Sequence, residues 1–416
     1  MQVAYLLTCS PSLYFSFPSA WRNIPPTKPR FFPRAEMSSF SQDGHPPSAQ
    51  NGVVLGCGAL SLDYLATVDA FPKPDDKIRS TSLKVEGGGN TGNALTCAAR
   101  LGLKPRLISK IANDTQGKNI LTELKGDGVN TSFIVVSEGN SPFTYIIVDN
   151  ETKTRTCIHT PGCPPMVPND LSDSKLFSAL DGSSLVYLDG RLHETALVVA
   201  KEATQRKIPI LVDAERKREG LDEILKLATY IVCSEKFPQA WTTIPSIPNA
   251  LVSILLRLPK IKFVVVTRGD KGCIMLERSI NDAREAEEVE IGSLLESLMQ
   301  KVDRRSIIPT CISSKTNIRI SADGIGSISG RLLVGTAELI SPSELIDTTG
   351  AGDAFIGAIL YALCAGMPAE KMLPFASQVA AAGCRALGAR SGLPWHTDPR
   401  LAPFLASSNK NSNLLT

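Results

Sequence analysis

From Gly52 onward, short runs of aliphatic and β-branched residues alternate with stretches whose apolar positions recur every three or four residues. The runs are VVLGCG at 53–58, RLISKIA at 106–112, SLVYLDG at 184–190, IPILVD at 208–213, YIVCS at 230–234 and FVVVTRG at 263–269. They are apolar on both faces, as the strands of a parallel sheet covered on both sides must be. Each is followed by a helix-period stretch or a turn signal. The pattern therefore predicts an α/β fold, a doubly wound and mostly parallel sheet with right-handed crossovers.

Two segments break the alternation. Residues 143–160, FTYIIVDNETKTRTCIHT, give two strands around a polar turn, a hairpin rather than a crossover unit. With a strand in 78–86, centred on STSLKV, they predict a small antiparallel β sheet beside the main one, placed as a lid over a substrate. Residues 280–331 run from a charged stretch into Ser, Ile and Gly without a clear period. They are expected to be an insertion made of one helix and poorly ordered linker.

Residues 1–35 contain no acid and carry Arg22, Lys28, Arg30 and Arg34 among serines and prolines. That is transit-peptide composition, which predicts import into the chloroplast; a chain started at Met37 would instead be cytoplasmic. Residues 36–51 read as linker, so the expected folded domain is 52–398 with a tail at 399–416.

A hydrophobic fraction of 43% in 416 residues is enough for a sizeable core and excludes a wholly disordered chain. Lys plus Arg is 44 against 41 for Asp plus Glu, which gives no electrostatic reason to expect nucleic acid or an anionic membrane. No apolar run reaches the roughly 18–20 residues of a spanning helix. The expected partner is a small molecule. The ten cysteines include no CxxC pair, which argues against a zinc ribbon or a thioredoxin-type site and for packed thiols in a reducing compartment.

The candidate chemistry sits in two glycine-rich segments. In ELIDTTGAGDAFIGAILYALCAGM (344–367), Leu345 and Ile346 can end a strand, Gly350 and Gly352 allow a tight turn, and apolar residues from Ala354 recur at helical spacing. The free N–H groups around Gly350, Ala351, Gly352 and Asp353 would converge on one point at the positive end of the helix dipole, forming an anion hole. A carboxylate in that place needs a reason. Asp353 would repel a phosphate unless it faces another atom, such as a substrate hydroxyl whose proton it takes; the bland reading is a helix-start Asp. No GxxxxGK[ST] loop is present, so any ATP phosphates must be cradled by the GAGD turn.

The other segment is VEGGGNTGNALTCAARLG (85–102). Gly87, Gly89 and Gly92 formally match a dinucleotide fingerprint, but the segment follows a short strand containing Lys and Glu instead of the apolar first strand. In the alternative, the glycines let the backbone approach a polyol, and Asn90 and Asn93 present donors and acceptors on one face of the opening helix turn.

EGGGNTGNALTCAARLG together with DTTGAGDAFIGAILYAL closely resembles the two motifs of the pfkB carbohydrate kinase family, whose fold is ribokinase-like. The resemblance runs from about Gly52 to about Trp395, apart from the insertion. The order GALSLDYLATVDAFPKPDDKIR, GGGNTGN, TRTCIHT and DGRLHE is most similar to the ketohexokinases. It implies an ATP-dependent sugar kinase that transfers the γ-phosphoryl to a hydroxyl of a small sugar, a ketohexose such as fructose. The alternatives are a ribose or nucleoside kinase, or a catalytically weak fructokinase-like binding protein. Asp353 would be the base, with Gly350, Ala351 and Gly352 as the anion hole. Asp63, Asp75, Gly89, Asn90 and Asn93 would hold the sugar. Thr267, Arg268, Gly269 and Gly272 would meet the nucleotide, with Arg155 and Arg191 offering contacts to phosphate. Glu235, in a Ser234–Phe237 stretch that departs from the family's Asn-x-x-Glu, is the candidate for organising Mg2+, and Asp347 and Thr349 match the positions that hold K+ in some members. The family also implies homodimers formed through the β lid.

Overall fold

In the computed structural model, which describes residues 52–152, 154–279, 287–303 and 305–405, every predicted strand run pairs as a strand. The first strands along the chain are β1 (Val53–Cys57), β2 (Ser61–Val68), β3 (Ser82–Gly88), β4 (Lys104–Ala112), β5 (Ile134–Ser137), β6 (Phe143–Asp149) and β7 (Arg155–Thr160). Next come β8 (Ser183–Leu188), β9 (Ile210–Ala214), β10 (Tyr230–Ser234), β11 (Phe263–Thr267) and β12 (Cys273–Arg278). The last are β13 (Glu288–Glu290), β14 (Cys311–Ser313), β15 (Ile318–Ala322) and β16 (Gly326–Gly335).

Seven strands form a parallel body in the order β11-β10-β9-β8-β1-β4-β5. Alternate residues of each strand feed opposite faces. Leu55 and Cys57 of β1 join one apolar cluster with Val186 and Leu188 of β8, while Val54, Leu185 and Tyr187 join the other. Each fully buried Leu or Val contributes about 1.5–3 kcal/mol. The chain leaves β1 toward β4 and β5, then returns to β8 and moves outward the other way. The direction of winding therefore reverses between β1 and β8, and the crevice beyond the carboxyl ends of those strands is where such sheets bind ligands.

The lid is a separate four-stranded sheet, β3-β2-β6-β7. Its outer pairs are antiparallel as expected, and its central pair, β2–β6, is parallel. The sequence had not marked β2 as a strand, since it follows β1 so closely that it reads as the first strand's tail. The lid exposes Leu83, Val85, Tyr145 and Ile158.

Two boundaries differ from expectation. Within 280–331, residues 280–286 and 304 lie outside the described residues. The expected helix is present at Ile291–Gln300, but most of the supposed linker is β13–β16, which continues the main sheet beyond β12 with mainly antiparallel pairing. Asp323-Gly324 separates two alternating runs, a hairpin signal that the surrounding Ser and Gly hide. Residues 399–405 also fold onto the domain: Leu401 is fully buried and the Phe404 ring lies 6.2 Å from Phe375. The transit-like residues 1–51 and residues 406–416 lie outside the described residues.

Candidate functional site

A cleft of about 350 Å3 opens between the lid and the carboxyl ends of β1, β8, β9, β10 and β11. The lid contributes Asp63 from β2 and Arg155 from β7, and the helix Asn90–Arg100 contributes Gly89, Asn90 and Asn93 at its start. Thr349, Gly350, Gly352 and Asp353 face them from the start of the helix Ala351–Cys364, with Arg191 and Thr267 at strand ends. Two motifs some 260 residues apart in sequence thus meet, and Asn93 Nδ2 donates to Asp353 Oδ2 at 2.9 Å.

Several predicted residues stand elsewhere. Asp75 is in an exposed turn at φ 68° and does not line the cleft. Arg268 and Glu235 lie outside the cleft lining, and Arg268 Nε donates to Glu235 Oε1 at 3.2 Å. Gly269 and Gly272 shape the turn after β11: a Cβ at Gly272 would overlap the Gly335 carbonyl. Ala351 opens the helix without lining the cleft.

The turn is a left-handed glycine leading directly into a helix start. Gly350 sits at φ 72°, where a side chain is strained, and a Cβ there would press on Ala389. Gly352 is exposed with open space where a Cβ would be. Asp347 is buried and accepts from Thr349 N, Thr349 Oγ1 and Gly388 N at 2.8–2.9 Å. The pair implied for K+ is thus occupied in bracing the turn against the chain at Gly388. From the lid, Arg155 Nη1 donates to Thr348 Oγ1 at 2.8 Å.

Asp353 is partly exposed to the cleft and otherwise enclosed. Burial pushes its pKa up to about 7; Asn93 opposes the rise, and Glu215 and Asp189 add to it. Asp63 is 6% exposed and accepts from Ser61 Oγ at 2.7 Å. Burial raises its pKa too, against bonds from Ser61 and Thr144 and the charge of Arg390.

The glycines of the first motif make room for protein groups. A Cβ at Gly88 would strike the Asp63 carboxylate, and at Gly89, which sits at φ 85°, the backbone of Ala59 and Leu60. Cβ atoms at Gly87 and Gly92 would strike the guanidinium of Arg390. That side chain, 3% exposed, donates Nε to Asn93 Oδ1 and Nη2 to Gly88 O, each at 2.9 Å. Arg can only donate, so Asn93 must turn its NH2 toward Asp353. Arg390 gave no motif signal, being 297 residues from Asn93.

Sequence reasoning also passed over two acids at strand ends. Asp189 accepts from Ala59 N at 2.7 Å and Arg191 N at 3.0 Å. Asp213 accepts a long 3.5 Å bond from Asn90 Nδ2, and burial with Asp353 and Glu215 nearby raises its pKa well above the usual range. A signal existed: each closes or directly follows an apolar strand whose carboxyl end borders the crevice. Glu215 accepts from Arg191 and Arg218; burial alone would raise its pKa, but the arginines outweigh it and hold it low.

Comparison with known proteins agrees with the geometry. A ribokinase of Bacillus subtilis is 25% identical over 354 residues, covering 81% of this chain and 94% of that protein. Mouse ketohexokinase is 22% identical over 340 residues, 80% of this chain and 95% of its own. Both kinds of enzyme are found, so the greater likeness to ketohexokinase is not upheld. The solved structure of Arabidopsis thaliana ribokinase complexed with ribose and ATP superposes with a TM-score of 0.60 at 19% identity, over 86% of this chain and 99% of that one. A structure titled as a putative ribokinase from Agrobacterium tumefaciens gives a TM-score of 0.62 at 24% identity, over 83% and 95%. The family profile matches residues 54–291 and 328–396, leaving out most of the segment that adds strands beyond β12. With more than half the chain matched and both motifs meeting in one cleft, this protein belongs to the pfkB family of carbohydrate kinases.

Proposed function

We propose that the cleft transfers the γ-phosphoryl group of ATP to a hydroxyl of a small sugar of pentose or ketohexose size. The observation that carries this is the meeting of Asp353 with Asn93 at 2.9 Å, in a cleft that also holds Asp63 and the Gly350 turn. The amide groups at the start of the 14-residue helix offer an anion site for the terminal phosphates, and its dipole adds to their hold. Asp63, Asn90 and Asn93 supply acceptors and donors for sugar hydroxyls.

Asp353 then accepts the proton of the attacking hydroxyl and holds its oxygen in line. Phosphoryl transfer has a loose transition state, so positioning outweighs basicity and a carboxylate suffices. Arg155, tied to Thr348, would place a cation beside the phosphates. Magnesium enters with the nucleotide as MgATP. The ribokinase and ketohexokinase relatives support ribose and fructose about equally.

The test is a panel of pentoses, ketohexoses and nucleosides given with MgATP to residues 37–416, with ADP release as the readout. Sugar-dependent ADP formation is expected. Binding of sugar and ATP without ADP release would refute the reading in favour of a non-catalytic binding protein.

A further inference from the structure

Three polar residues of the lid stand in one row. The register of β2 with β6 sets Asp63 beside Thr144, and that of β6 with β7 sets Thr144 beside His159. All three line the cleft together with Asn93 and Asp353. The neighbouring row on the same face, Ile146 beside Cys157, carries no charge and no hydroxyl. From Asp63 to His159 the row crosses two strand spacings, roughly 10 Å, a length comparable with a sugar and its outer hydroxyls.

The hydrogen bonds along this row run in one direction. Asp63 takes a bond from Ser61 Oγ and another from Thr144, and the Thr144 bond lowers its pKa, which is what a donor does to a carboxylate. A hydroxyl has a single proton. With that proton given to Asp63, Thr144 Oγ1 must accept from His159 Nδ1, 3.1 Å away. The imidazole is neutral, because burial and the charges of Arg191 and Arg218 hold its pKa below the ordinary value. A neutral ring protonated on Nδ1 presents Nε2 as a bare lone pair. Among the described residues, none hydrogen-bonds to that nitrogen.

Arg191 shares this stretch of wall, since it and His159 line both the cleft and an adjoining cavity. Its guanidinium only donates: Nη2 serves Asn90 Oδ1 and Glu215 Oε2, and Nη1 meets no acceptor among the described residues. A free acceptor and a free donor therefore stand close together. A hydroxyl answers both, because one oxygen donates and accepts. A carboxylate or phosphate oxygen would leave the His159 lone pair facing another lone pair, and a methyl group would satisfy neither side chain.

We propose that His159 is a specificity residue of the sugar site: its Nε2 accepts a hydrogen bond from a sugar hydroxyl other than the one that reacts at Asp353, and Arg191 donates to the same oxygen. This rests on the sugar-kinase reading. A sugar lacking that hydroxyl leaves both side chains unpaired in the closed site and is rejected for that reason.

Spectroscopy without ATP tests the contact apart from the reaction. In protein carrying 15N-labelled histidine, the His159 signals are those lost in His159→Asn. At neutral pH its Nδ1 should resonate as a protonated nitrogen and its Nε2 as an unprotonated one. A bound pentose or ketohexose of the panel should move Nε2 toward the protonated range. Kinetics with MgATP test the specificity. The amide of Asn can keep the bond to Thr144 but does not reach the place of Nε2, whereas the amide of Gln does. His159→Asn should raise the KM for the sugar on the order of tenfold with kcat little changed, and His159→Gln should recover most of that loss. One monodeoxy analogue of the accepted sugar should lose about the same factor with the unaltered protein and nothing further with His159→Asn. An Nε2–H tautomer, an Nε2 signal that no sugar of the panel moves, or equal damage from Asn and Gln would each overturn the proposal. So would the lack of any deoxy analogue whose penalty disappears in His159→Asn. An intact Nε2 response with no phosphoryl transfer would defeat the kinase reading and leave the hydroxyl contact standing.

Discussion

The two glycine-rich motifs look alike on the page and do different work in the fold. In EGGGNTGN the glycines are spaces filled by the protein: Gly88 admits the Asp63 carboxylate, while Gly87 and Gly92 admit Arg390. In DTTGAGD, Gly350 is needed for its left-handed backbone, and Gly352 faces open space at the helix start. The first motif therefore assembles the wall that holds Asn93, and the second leaves the amides of the turn accessible to a ligand. A glycine's role depends on what comes within reach of its missing Cβ, which composition does not reveal.

Substitutions can break this contrast. The largest effect is expected at the point where the motifs meet. Asp353→Asn removes the proton acceptor while keeping the shape, and kcat should fall on the order of a thousandfold or more in the coupled assay, with the KM values changed far less. Arg390→Met comes next. It leaves Glu123 and Asp63 without their buried cation and Asn93 without its donor, and should cost about 3–5 kcal/mol in denaturant unfolding.

Gly92→Ala drives a methyl into that guanidinium and the Leu60 side chain, so a loss of about 1–3 kcal/mol is expected, seen as a melting temperature lower by a few degrees. Gly352→Ala is the counterpart. Its methyl meets no protein atom, so stability should hold or rise slightly, while the KM for ATP rises on the order of tenfold because the methyl intrudes on the phosphates. Equal effects of Gly92→Ala and Gly352→Ala on melting would remove the distinction between a packed and an open motif.

The parallel body was legible because buried strands are continuous apolar runs, as FVVVT and YIVCS show. β2 was lost beside β1, and β15–β16 were hidden by the Ser and Gly interspersed among their apolar residues. At the site, residues within a motif were found, since a turn and its helix are local: Asn93, Gly350 and Asp353 stand where expected. Asp213 and Arg390 were missed because each acts through partners more than a hundred residues distant. Asp75 was assigned through resemblance alone, and the fold holds it in an exposed turn away from the cleft.

The central claim is that the Asp353 carboxylate takes the proton of the attacking hydroxyl, and the pH dependence of kcat/KM addresses it most directly. Enclosure in the unliganded cleft holds the pKa of Asp353 at about 7, so the group is protonated and inactive below that value and competent above it. The rate constant should climb with pH through an acid limb centred near 7, over about two pH units on either side. A flat profile across that span, with the protein folded throughout, would contradict the account.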